Sequence, residues 1–260
     1  MNRFVLIAIS ILCLNLGTSR KNSKETHSEN EWVSLFNGKD LDGWLIKING
    51  YELNHNAFNT FQVDEGVMKV SYKEYDTFTN QYGHIFYKSP FSNYRLKLQY
   101  RFIGEQVNGG AGWATKNSGV MIHSQSPESM GLNQAFPVSL EAQFLGGIEE
   151  GKARPTGNLC TPGTHVEMKN ELVTNHCINS TSETIYDDSW VDVEVVVNNN
   201  TITHIINGTE VITYANPIIG GEYNVFPDRD GEEVKQGYIS LQSESHPIEF
   251  RNIKILELNK

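Results

Sequence analysis

Apolar and polar residues alternate with a two-residue period again and again along this chain, and no window of a dozen residues shows apolar positions three and four apart between proper helix caps. A two-residue period buries one face of a strand, whereas a helix requires 3.6. The chain therefore predicts an all-β fold. Residues 94–102 alternate Tyr, Leu, Leu, Tyr, Phe with Arg, Lys, Gln, Arg, as a half-buried strand does. The stretch 61–71 folds back through Asp64-Glu65-Gly66 as a hairpin. A second hairpin joins 201–206 to 209–214 through Asn207-Gly208, which supplies the positive backbone angles of a two-residue turn. Further strands are expected at 119–124, 139–145, 190–197, 238–242 and 248–258. Many strands, Gly-rich turns and no internal repeat point to a single domain built as a sandwich of two antiparallel sheets.

Three stretches lack this alternation, 73–88, 104–117 and 146–188, and read as long irregular loops of the kind that carry function. At the N-terminus, Arg3 precedes the apolar run 4–14, with Gly17 and Ser19 at a cleavage position, so residues 1–19 read as a signal peptide. The run is shorter than the roughly 20 residues of a membrane span. Cys13 follows Leu12 rather than a small residue, which argues against a lipoprotein. Residues 20–31 are polar and form a flexible leader, and the folded domain covers 32–260. This predicts an exported protein, periplasmic or secreted. Loss of the signal peptide removes only Arg3, leaving 20 basic and 31 acidic residues, a charge of −11. Nucleic acid is a poor partner for such a surface, whereas neutral glycans are compatible with it. Oligomeric state is not legible. Two cysteines remain, Cys160 and Cys177, and in an oxidising compartment a disulfide between them is the simplest reading, worth about 3 kcal/mol for a loop of this length. Zinc with the nearby His165 and His176 is the alternative, although the spacing matches no standard zinc pattern.

WVSLFNGKDLDGW at 32–44, FQVDEGVMKVS at 61–71, YRLKLQYRF at 94–102, NSGVMIHS at 117–124, LEAQF at 140–144 and GYISLQSESHPIEFRNIKIL at 237–256 together resemble the bacterial 3-keto-disaccharide hydrolase family. The resemblance spans nearly the whole mature chain. It implies a concanavalin-like jelly roll, export, and action on an oligosaccharide or glycoside already oxidised to a ketone at ring position three. The family more often has an arginine near the position of His123 and a tyrosine where Leu140 stands.

A ketone at position three acidifies the hydrogen at position two, so the bond at position one can break by elimination with one base and one stabilised enolate. Ordinary glycoside hydrolysis instead uses a carboxylate pair, and here only Glu141 is a well-placed carboxylate. Alternation along 139–145 puts Ser139, Glu141 and Gln143 on one face and Leu140, Ala142 and Phe144 in the core. By the same rule Met121 and His123 share a face, as do Ser240 and Gln242. Glu141 is the expected general base and His123 the acid or second base, with Gln143, Gln242 and Ser240 as substrate-binding groups. Among the aromatic residues Trp113, in a glycine-rich loop, is the candidate for stacking on sugar, Tyr82 is a second, and Trp44 reads as core. The sequence calls for no particular cofactor, but a divalent metal held by Glu141 with some of His165, His176, Glu244 and His246 is an alternative enolate stabiliser. A lectin-like module that binds glycan without chemistry is the rival function.

Overall fold

In a computed structural model, which describes residues 31–258, the chain forms seventeen strands and four short 3-10 turns. The expected signal peptide and nearly all of the leader lie outside the described residues. In chain order the strands are β1 (Val33–Ser34), β2 (Trp44–Ile48), β3 (Phe61–Asp64), β4 (Val67–Val70), β5 (Gly83–Tyr87) and β6 (Tyr94–Phe102). Next come β7 (Asn117–Ser124), β8 (Leu140–Leu145), β9 (Asn158–Cys160), β10 (Thr164–Met168), β11 (Glu171–Val173) and β12 (Cys177–Ile178). The last are β13 (Val191–Asn198), β14 (Thr201–Ile206), β15 (Thr209–Ile219), β16 (Tyr238–Ser243) and β17 (Ile248–Glu257). They make two antiparallel sheets. One has ten strands in the order β11-β10-β15-β14-β13-β6-β17-β4-β3 with β1 beside β17, and the other has seven, β12-β9-β8-β7-β16-β5-β2. Among the described residues no helix is long and apolar enough to cross a membrane.

The sheets pack face to face. β6 contributes Tyr94, Leu96, Leu98, Tyr100 and Phe102 to the core, and β8 faces it with Leu140, Ala142 and Phe144, as the alternation predicts. Tyr100 and Phe144 stack across the sandwich at 4.3 Å between ring centroids and 7° between planes. The Tyr100 hydroxyl meets Thr156 Oγ1 at 2.7 Å, so the one polar end of that pair is satisfied.

The two sheets differ in their outer faces. In the ten-stranded sheet β6 alternates buried and half-buried residues and β13 does the same, so its outer face meets solvent and carries ion pairs such as Arg95–Glu194 and Arg101–Glu249. In the seven-stranded sheet β7 is buried at every position and β16 at all but its first. Both of its faces are covered, one by the core and the other by loops. Short strands buried on both sides carry no alternation. That is why β5 lies unrecognised inside 73–88 and β9 inside 146–188, where the sequence predicts irregular loop; β10, β11 and β12 are partly exposed but too short to show a period.

Phe144→Ala removes the stacked ring at the centre of the core and is expected to cost about 3–5 kcal/mol. Urea unfolding monitored by circular dichroism measures that loss.

Candidate active site

Backbone register fixes which side chains share the covered face of the seven-stranded sheet. Lys47 on β2 stands opposite His84 on β5, and His84 opposite Gln242 on β16. Leu241 pairs with Val120 on β7, while Gly119 pairs with Gln143 on β8 and Gln143 with Asn158 on β9. One step along, Met121 pairs with Glu141, Glu141 with Cys160, and Cys160 with Cys177 on β12. A band of polar groups thus crosses the sheet. Gly119 sits within it for a reason: a Cβ there would overlap a carboxylate oxygen of Glu141 and lie 2.8 and 2.9 Å from its Cγ and Cδ. The missing side chain is the space in which the Glu141 carboxylate lies.

A second carboxylate comes from the turn after β16. Glu244 is buried, and its Oε1 accepts from Gln242 Nε2 at 3.4 Å. The next residue anchors the turn: Ser245 N donates to the Tyr72 hydroxyl at 2.7 Å, and Gln106 Nε2 donates to Ser245 Oγ at 2.8 Å. Glu141, Glu244, Gln143 and Asn117 line a recess of about 240 Å³ together with the Cys160–Cys177 disulfide. This lies a little below the range of about 300–1,000 Å³ usual for ligand clefts and suits one small ring. Aromatic rings wall it in sequence. Trp113 stacks on Tyr82 at 6.1 Å, Tyr82 meets Phe136 at 5.1 Å, Phe136 meets Tyr223 at 5.4 Å, and Tyr223 meets His176 at 5.3 Å. Trp113 remains 56% exposed, so one face is free for a ligand. Its carbonyl is held by Arg154 Nη2 at 3.1 Å, while Arg154 Nη1 binds the carbonyls of Lys116 and Gly146.

Several polar atoms of this site have no protein partner although they are buried: Gln242 Oε1, Glu244 Oε2, Asn117 Oδ1 and His176 Nδ1. Buried polar atoms are normally paired, and groups left open in a recess are available to a ligand. Gln143 Oε1 is taken by Asn158 Nδ2 at 3.1 Å, which leaves the Gln143 amide hydrogens to donate. A larger groove of about 680 Å³ lies on the outer face of the ten-stranded sheet beside Trp32, Lys97 and Glu194. There Lys97 is already engaged with Trp32 and with Glu194. The smaller recess, with its unpartnered groups, is the stronger candidate.

The electrostatics of the recess favour bound protons. Burial raises Glu141 above the usual carboxylate range. Glu244 is raised by burial and by the charge of Glu141, and Arg154 opposes this only in part. Two such groups do not both ionise near neutral pH, and they titrate as a pair. His84, sealed beneath Phe136, is pushed down to about 3 by burial and by Lys47, so its imidazole is neutral. The Lys47 ammonium is spent on three carbonyls, those of Ile48, Tyr51 and Leu132, and ties the loop over the recess to β2.

The structure brings Glu141, Gln143, Gln242, Trp113, Tyr82 and His176 to one place. It does not bring His123 there. Between Met121 and Ser124 the β7–β16 register slips by one residue, and His123 adopts a φ of 48°. This bulge reverses the alternation. The His123 ring turns to Tyr94, 6.3 Å away on the opposite sheet, and the residue borders a different recess with Gln125 and Arg229. Ser240 shares the face of Gln242 but is sealed between Phe86 and Met121 and does not reach the recess. His165 packs against Gly220 and Gly221, so the candidate metal ligands His165, His176 and Glu141 do not converge; among the described residues no group of three or more His, Cys, Asp or Glu side chains is arranged to hold a metal ion. Cys160 and Cys177 form a disulfide, not a zinc site. Trp44 is core, its indole N–H donating to the Leu35 carbonyl at 2.9 Å.

Sequence reasoning offered Glu244 as a metal ligand rather than as a second carboxylate of the cleft, and it missed His84, Phe136 and Tyr223. Glu244 and Tyr223 lie outside any strand, where alternation assigns no face. His84 does alternate with Phe86, but within a strand too short and too buried to stand out.

The 3-keto-alpha-glucoside-1,2-lyase-like domain, as a family model, matches residues 31–256. The chain belongs to that family. Membership in the lyase-like family makes it a carbohydrate-active protein, as the sequence motifs imply. No curated protein matches it. Two crystal structures of candidate glycosyl hydrolases from Parabacteroides distasonis are similar in fold, each at 20% identity. One is matched over 88% of this chain and 100% of its own length with a TM-score of 0.53, the other over 88% and 94% with 0.54. At that identity the likeness establishes the jelly-roll sandwich of the lyase-like family and nothing about substrate. Leu140, where the family more often has tyrosine, points into the core of this member.

A carboxyl whose pKa is raised on folding costs nothing below its unfolded pKa and destabilises progressively as pH climbs toward the folded value. Glu141→Gln and Glu244→Gln are therefore each expected to raise the melting temperature at pH 8 by a few degrees and to leave it nearly unchanged at pH 4. Scanning calorimetry at the two pH values checks this.

Proposed function

We propose that the protein is an exported enzyme that cleaves 3-keto-glycosides by elimination followed by addition of water. The observation that carries this reading is the buried Glu141–Glu244 pair beneath a recess the size of one ring, which holds a base and a proton donor side by side. The disulfide fits an oxidising compartment.

The ionised member, Glu141, takes the proton from position two. The C–H electron pair becomes the new double bond between positions one and two, and the bond from position one to the glycosidic oxygen breaks. Glu244, protonated, gives its proton to the departing oxygen. Amide hydrogens of Gln143 face the ketone oxygen, where negative charge develops, and low-dielectric surroundings strengthen that contact. Water then adds across the double bond and restores the 3-keto sugar. Trp113 and Tyr223 supply apolar faces for the ring. His123 takes no part in these steps, because its ring faces the sandwich interior.

The carboxylate pair also favours a second reading, an ordinary glycosidase acting on unoxidised glycosides. The two separate on substrate. Purified protein is offered a 3-keto-glucoside and the matched unoxidised glucoside, and aglycone release is followed by chromatography. The proposal expects release from the first alone, and release from the second at an equal rate contradicts it. Glycan binding with no release from either substrate identifies a lectin-like module.

Loss of a general base lowers turnover by about 10²–10⁴-fold, and Glu141→Gln is expected to fall in that range. Gly119→Ala, which forces the carboxylate from its place, is expected to lower kcat at least tenfold with little change in KM. The pH profile of kcat/KM should be bell-shaped. Activity is lost at low pH when Glu141 is protonated and at high pH when Glu244 loses its proton, and Glu244→Gln should leave no descent on the alkaline side.

A further inference from the structure

The recess over Glu141 has a neighbour. Phe136 and Tyr223, which wall it, also line an adjoining groove of about 550 Å³ that continues past Ala135, Val225 and Phe226. No charged side chain lines this groove, although the chain as a whole carries a net charge of −10. Its surface is apolar and open: Tyr223 is 44% and Val225 46% exposed. Contiguous exposed apolar surface beside a polar recess marks a binding surface.

Of the polar side chains that border the groove, Gln134 and Ser129 are already engaged, and only Asn133 is open. Gln134 Nε2 donates to Gln125 Oε1 at 2.8 Å and to the Phe136 carbonyl at 2.8 Å, and Gln134 Oε1 accepts from Gly131 N at 3.1 Å. Ser129 Oγ donates to the Ser126 carbonyl at 2.8 Å and accepts from Gln125 Nε2 at 3.1 Å. A second sugar ring seated there would bring hydroxyls that find few partners, and each unpaired buried hydroxyl is costly. A flat apolar ring would lie against Phe136, Tyr223 and Val225 without that cost. The sheet closes the floor of the recess, so a leaving group departs along its open, aromatic side.

We infer that this groove is the leaving-group subsite and that the substrate is a 3-keto-glycoside of a neutral aromatic alcohol rather than a disaccharide. The inference rests on the elimination reading given above and names the substrate class of the same site. Burial and the charge of Glu222 raise the Tyr223 hydroxyl, and that carboxylate beside the groove disfavours an anionic aglycone.

The test compares 3-keto-glucosides of phenol and 2-naphthol in one anomeric form, leaving groups of similar acidity that differ in apolar area. Wild-type protein is expected to show a KM about five- to tenfold lower for the naphthyl compound, from the added burial of apolar surface. In Val225→Asp, at an exposed position, the two KM values should fall within about twofold of each other, and Val225→Ser should give an intermediate ratio. Release from both compounds with equal KM in the wild-type protein overturns the subsite and leaves the elimination reading standing. Release from neither overturns that reading and the subsite with it. A 3-keto-disaccharide processed with a lower KM than the naphthyl compound also overturns the assignment of an aromatic aglycone.

Discussion

Everything distinctive about this sandwich depends on the covering of one sheet on both sides. The ten-stranded sheet meets solvent with its outer face and spends its charges in ion pairs there. The seven-stranded sheet has loops over its outer face, and that cover removes Glu141, Gln242, His84 and Glu244 from water. Taking a carboxylate out of water disfavours its charged form, and taking out two together disfavours both charges at once. Burial thus raises both carboxyls above the ordinary range, and the charge of Glu141 adds to the shift of Glu244.

The chain holds this unfavourable arrangement in place by local means. Gly119 leaves room for the Glu141 carboxylate, and Tyr72 and Gln106 fix the buried turn that carries Glu244. Arg154 binds the carbonyls of Trp113, Lys116 and Gly146, so the loop bearing the exposed indole is fastened by the same guanidinium whose charge partly offsets Glu244. Lys47 ties Leu132, near the base of the segment that carries Phe136, to the edge of the sheet. The disulfide joins β9 to the edge strand β12 and sets His176, the residue before Cys177, against the aromatic wall. The stability of the sandwich core, typified by Tyr100 on Phe144, offsets the cost of these buried groups.

The sequence made the core strands legible because 94–102 and 140–144 alternate, and alternation reports directly on which side chains are buried. It located Glu141, Gln143 and Gln242 on one face by the same rule. The rule failed at His123, because one extra residue in β7 reverses every direction after it and no residue type at that point announces a bulge. The sequence marked Glu244 only as a metal ligand and was silent on Tyr223, both of which sit in turns; alternation missed β5 and β9, where burial on both faces erases the period, and β10 to β12, which are too short to show one. The place of Glu244 as a second carboxylate over the recess follows from the inward fold of the turn after β16.

The claim at the centre of this account is that Glu141 and Glu244 titrate together, both above the ordinary glutamate range. Carbon-13 NMR of the glutamate side-chain carboxyl groups, titrated across pH and assigned with Glu141→Gln and Glu244→Gln, reads it directly. The account predicts two carboxyls that titrate well above the ordinary glutamate range, with removal of either one lowering the midpoint of the other. Two carboxyls titrating independently in the ordinary range, each indifferent to the loss of its neighbour, would contradict it.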